Sequence, residues 1–81
     1  MIELLNGGEN DMAKTLVILI LLFNGTLVEE RLDFNPVVTV MDCLAIGDAY
    51  RESLSTYHGP GKEQGWYLND GRGTIQGHYC E

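Results

Sequence analysis

The sequence predicts a two-layer α+β domain of order ββαββ, an antiparallel sheet of about four strands with one helix across one face. Three observations predict it. Two β-prone runs flank Asn24-Gly25, a hairpin signal because a type I′ turn needs positive φ at both central residues. A single stretch with helical spacing follows, from Val37 to about Tyr57. Trp66-Tyr67-Leu68 and Thr74 to Cys80 then flank the glycine-containing loop Asn69 to Gly73, the pattern of a second hairpin.

The first arm is apolar at every position from Leu16 to Phe23, as expected of a strand buried on both faces. The second arm is mixed, with Val28, Leu32 and Phe34 on one face and Glu29, Arg31 and Asp33 on the other. Residues 1–11 have no periodicity and carry Gly-Gly and Asn-Asp breakers, so they read as a flexible tail ahead of a single domain at 12–81. Gly8-Glu9 can be encoded by a purine-rich ribosome-binding sequence at a suitable distance before Met12, which makes Met12 the candidate native start. From Met12, Met-Ala-Lys followed by the apolar run also resembles a secretory signal ending near Asn24. That apolar run is short for a signal, no Ala-x-Ala-like site follows it, and about eight apolar residues cannot span a bilayer. The buried strand is the preferred reading and the signal the alternative.

Asn35-Pro36 predicts the start of the helix, with Asn as N-cap and Pro at the first helical position. Val40, Cys43, Leu44, Tyr50 and Leu54 then share a stripe with Gly47, opposite Asp42, Ala49, Ser53 and Thr56. Glycine costs a helix ~1 kcal/mol against alanine, so Gly47 predicts a close approach of helix and sheet. Gly59 reads as the C-terminal cap, opening a loop from His58 to Gly65. Gly59 and Gly61 have neither a preceding strand nor a following helix in this reading, which removes a phosphate-binding loop. Two registers are open for the second hairpin. One sets Trp66 opposite Gly77 with Leu68 near Ile75; the other shifts the faces and puts Cys80 beside Trp66.

Eighty-one residues make one domain, which buries only ~60% of its unfolded surface and gains from a disulfide or a partner. The net charge is −7, and the basic residues Lys14, Arg31, Arg51, Lys62 and Arg72 are scattered. That balance argues against nucleic acid and anionic membranes as partners, since both need a basic patch. An acidic surface suits solubility first and a basic partner second.

Cys43 on the helix stripe and Cys80 in the last strand are the candidate disulfide; reduced, buried thiols are the alternative in an unexported protein. Cys43, His58, His78 and Cys80 are ligand types without the spacing of a zinc site. Nothing brings a histidine to Cys43 to activate it, and the many carboxylates lack a cleft for acid–base chemistry. No catalytic residue, cofactor or metal site is assigned, and the chain is expected not to be an enzyme. Asn24-Gly25-Thr26 matches a glycosylation sequon but forms the predicted turn. One helix covers one face, yet the first strand is apolar on both, and large exposed apolar patches are rare on soluble monomers. Leu16, Ile18, Ile20 and Leu22 are therefore the candidate interaction face, for a second copy or a larger protein.

From Met12 onward the pattern resembles small proteins of tailed phages and prophages of marine bacteria. The residues that carry it are the hairpin from Leu16 to Phe34, Met41-Asp42-Cys43 in the helix, and the ending Tyr79-Cys80-Glu81. The resemblance implies a phage-encoded accessory protein and no particular activity. The expected function is protein–protein contact or self-assembly, in the host cytoplasm or the virion. The alternative is a disulfide-tied periplasmic protein that loses its residues up to about Asn24.

Overall fold

The computed structural model describes residues 11–61 and 63–81; of the tail expected at 1–11, all but Asp11 lies outside the described residues. The elements are β1 (Met12–Leu22), β2 (Leu27–Thr39), α1 (Val40–Leu54), β3 (Ser55–His58), β4 (Gly65–Leu68) and β5 (Gly73–Cys80). They form one antiparallel sheet in the order β2-β1-β5-β4-β3, with α1 packed against it. The fold is α+β as expected, with five strands in place of about four. Its apolar first strand lies between β2 and β5, where a sequence apolar on both faces belongs.

The first turn differs in kind from the expected one. Gly25 N donates to the Leu22 carbonyl and Leu22 N to that of Thr26. Gly25 has φ +93°, and among the described residues no non-glycine has positive φ. The connection is thus a three-residue loop, Phe23-Asn24-Gly25, closed by a left-handed glycine. Asn24 keeps a negative φ, and its side-chain Oδ1 accepts from Thr26 N at 2.9 Å, mimicking a backbone turn.

Asn35-Pro36 does not start the helix. β2 runs on to Thr39, and its register against β1 slips between Thr15↔Asp33 and Ala13↔Val38. The segment from Phe34 to Val37, with its cis Asn35–Pro36 peptide, is the excess taken up there. The β-branched Val37-Val38-Thr39 favours extended backbone. The cap is Thr39, whose hydroxyl accepts from Asp42 N at 3.0 Å. At the other end the helix stops at Leu54 rather than near Tyr57. Ser55 closes it, both its N–H and its hydroxyl donating to the Arg51 carbonyl. Ser55–His58 then pairs with β4, so Gly59 follows a strand and not a helix. In the second hairpin Trp66 pairs with Ile75 and Tyr67 with Thr74, which is neither expected register. Cys80 pairs instead with Leu16 on the far side of β5.

The core is Ala13, Leu16, Ile18, Ile20, Cys43, Leu68 and Ile75. From the helix, Cys43 and Gly47 are buried, with Val40, Ile46 and Tyr50 packed alongside, while Leu44 and Leu54 face outward. Gly47 has the role its stripe predicts. A Cβ there would sit 2.3 Å from Cδ2 of His78, so the imidazole fills the space a side chain would take. His78 is thereby turned toward the helix, with Nε2 3.7 Å from Asp48 Oδ1 and its side chain largely covered. Arg51 lays its guanidinium 4.5 Å over the Trp66 ring, a cation–π contact. Cys43 and Cys80 are joined as a disulfide, tying α1 to β5. At Gly73 a Cβ would meet the Leu21 carbonyl oxygen at 2.1 Å, so β5 reaches β1 at that point only as bare backbone.

Candidate interaction surface

Alternation along β1 sorts its residues onto two faces. Leu16, Ile18 and Ile20 are buried and belong to the core cluster that holds Cys43 of the helix, with Leu22 packed at its margin. These are the residues expected at an interface, and the helix side of the sheet has taken them instead. The physical reason is parity. Cys80 pairs with Leu16 and His78 with Ile18, so the disulfide and the Gly47–His78 contact draw the even-numbered side under α1.

The odd-numbered side is the open one. Thr15, at its near end, donates its hydroxyl to Asp33 Oδ1 at 2.8 Å. Val17 is fully buried even so, flanked across the strands by Arg31 and Tyr79. Arg31 is pinned there by Glu29 at 3.1 Å and by Glu81, and its aliphatic stem covers apolar surface while its charge stays in water. Beyond Val17 the cover thins. Leu21 and Tyr79 are each 38% exposed, Leu27 59% and Phe23 64%. Register places Leu21 directly opposite Leu27, and Leu19 beside Gly77. The strip continues onto β4 and β3 through aromatic rings: Phe23 lies 6.1 Å from Tyr67, and His58 meets Tyr67 edge-on at 4.5 Å. The Tyr67 hydroxyl donates to the Glu63 carbonyl at 2.5 Å. Partial desolvation, then the nearby Glu63 carboxylate, holds that phenol above the usual tyrosine range.

A family model, a curated protein or a solved structure that matches the chain was found in none of the three comparisons made. What the surface can do has to come from its own geometry.

A second concavity, of about 450 Å³, lies between the two hairpin turns, with Leu22, Phe23, Val28, Glu30 and Arg72 among its lining. Its cation is already engaged, by Asp70 at 2.7 Å and Glu30 at 3.4 Å. The Arg72 backbone N–H and then its guanidinium hold the Asp70 carboxyl below the usual carboxylate range. Among the described residues no three His, Cys, Asp or Glu side chains are grouped to hold a metal. Cys43 and Cys80, two of the four candidate ligand residues noted in the sequence, are consumed by the disulfide. No helix among the described residues is long and apolar enough to cross a membrane.

The strand with a surplus apolar face is thus where the sequence puts it, but Leu16, Ile18 and Ile20 lie in the core under α1 and the exposed apolar residues lie on the other side. Sequence reasoning also missed the contributions of Leu27, Tyr67 and Tyr79. The sequence signal that could have told the two sides apart is Cys80. Once Cys80 is bonded to the helix, every residue in register with it is assigned to the helix face.

Proposed function

We propose that the chain is a non-enzymatic accessory protein, phage- or bacterium-encoded, that works by protein–protein contact through the open face of its sheet. The observation that carries this reading is the strip of Leu21, Phe23, Leu27 and Tyr79, exposed on the side away from α1 with the half-buried Leu19 beside them. Fully burying a leucine or phenylalanine is worth ~1.5–3 kcal/mol, so covering several of them is a sizeable driving force for association. The test is crosslinking in cells that make the chain, comparing wild type with a Leu21→Lys/Phe23→Lys variant. Wild type is expected in a crosslinked species that the variant does not enter, with both chains melting alike. A wild-type chain that crosslinks to nothing overturns the reading.

The disulfide favours a second element, residence in an oxidising compartment, because such bonds persist there and are rare in a reducing cytosol. Removal of a leader up to about Asn24 fits poorly with it, since β1 supplies Ala13, Leu16, Ile18 and Ile20 to the core. An exported form would have to keep β1. Intact mass of the natural protein with and without thiol alkylation is the check: two hydrogens light and unreactive supports oxidation, and two alkylated cysteines remove it.

A further inference from the structure

The open face carries a feature that says what fits it. Leu19 and Gly77 are cross-strand partners, one on β1 and one on β5, side by side at the middle of the face. A Cβ built on Gly77 meets nothing within 4 Å, so the glycine leaves a hollow directly beside a leucine. A side chain beside open space on one surface is an arrangement that an isologous contact can use twice. We infer that the face is built for a second copy of this chain, stacked sheet on sheet about a two-fold axis that runs between β1 and β5. Each Leu19 then sits in the hollow over the other copy's Gly77. The inference rests on the open-face reading above and gives that face its occupant.

Charge placement agrees with that axis. The ionic groups of the face lie at its margins, along β2 at Glu29, Arg31 and Asp33, at Glu81, and at Glu63 beside Tyr67, while Leu19, Leu21, Thr74 and Gly77 leave its middle uncharged. Rotation about an axis between β1 and β5 carries β2 over β4 of the other copy. The carboxylates of the two β2 strands are thus kept apart from each other, and β2 meets β4, with its Tyr67 ring and the neighbouring Glu63. For a chain of net charge −7 this separation is needed, since like charges brought together without pairing oppose association. β2, β1 and β5 over about seven residues each, with the short β4, at ~4.8 Å spacing present roughly 400 Å² per copy. A pair therefore buries on the order of 800 Å², the size of a weak, reversible interface. Two sheets packed in this way keep their strands within about 30° of each other.

The experiment is sedimentation and light scattering of the oxidised full-length chain over a concentration series. It compares wild type, Gly77→Val and Leu21→Lys, with dye binding to apolar surface followed on the same samples. Gly77 has open space above it and no positive φ, and valine suits a strand, so the monomer is expected to keep its fold and melting temperature. Wild type is expected to dimerise, and both variants to weaken the dimer about tenfold or more. A dimer indifferent to both variants overturns the inference. A monomeric wild type that binds the dye, with binding lost in Leu21→Lys, overturns the second copy and leaves the contact face standing. A monomer that binds no dye removes both.

Discussion

At the scale of single residues, the closest fit between helix and sheet is one glycine against one imidazole. Alanine at Gly47 would raise helix propensity by ~1 kcal/mol, but its methyl would overlap the His78 ring. Overpacking of that kind costs ~1–3 kcal/mol, and the clash is expected to win. Gly47→Ala should therefore lower stability in urea unfolding. In a His78→Ala background the same substitution should become neutral or stabilising, because the ring is gone. Equal losses in both backgrounds would mean that His78 is not what forbids the side chain. Gly47 was legible from its place on an apolar stripe. Its partner was not, because nothing local marks which residue of a distant strand will face it.

Tyr50 carries a second residue-scale expectation. Burial, and after it the Glu30 carboxylate that its hydroxyl meets at 3.4 Å, raises its phenol above the ordinary value of 10.0. The folded state thus favours the protonated form more than the unfolded chain does. Stability from this group is complete below the unfolded pKa and is lost as pH rises past it toward the raised folded value. Tyr50→Phe should reduce the alkaline loss of stability above about pH 10 and leave neutral pH behaviour to packing alone. Parallel unfolding curves for the two chains across pH 9–11 would count against it.

At the scale of elements, the structure separates signals that look alike in sequence. Asn35-Pro36 has the chemistry of a helix start, yet Thr39 does the capping. Thr39→Ala is expected to cost ~1 kcal/mol by leaving the Asp42 N–H without its acceptor. Asn35→Ala should leave helix content unchanged in circular dichroism. Local propensity at Asn-Pro gave way because Val38 pairs with Ala13 and keeps the strand going past it. β3 was missed for a related reason. It begins at the residue that ends α1, with no breaker between, so Thr56 and Tyr57 read as a last helical turn. The apolar first strand was plain from composition, but a run apolar at every position has no alternation to tell which side turns inward.

At the scale of the whole molecule, the described residues, one helix on five strands, form an open, elongated object. The extents are 43 × 27 × 21 Å and the Cα radius of gyration is 14.6 Å, against about 11–12 Å for a compact chain of this length. Such a shape leans on its crosslink. Closing a loop of sequence separation 37 is worth ~4 kcal/mol in the chain-entropy account. Chains of this size have only ~4–12 kcal/mol in all. Reduction, or Cys43→Ala with Cys80→Ala, should therefore remove a third or more of the unfolding free energy, read from urea midpoints with and without reductant. A midpoint insensitive to reductant would mean that the sheet holds itself.

The strand order has a further consequence during synthesis. β1 is made before every other described element, yet one of its edges waits for β5, the last of them. Until β5 has left the ribosome, the nascent hairpin of β1 and β2 must hold an apolar strand with an unpaired edge. The sheet can close only after translation of this region is finished, and for that interval the growing chain offers the surface that chaperones bind and that aggregation exploits.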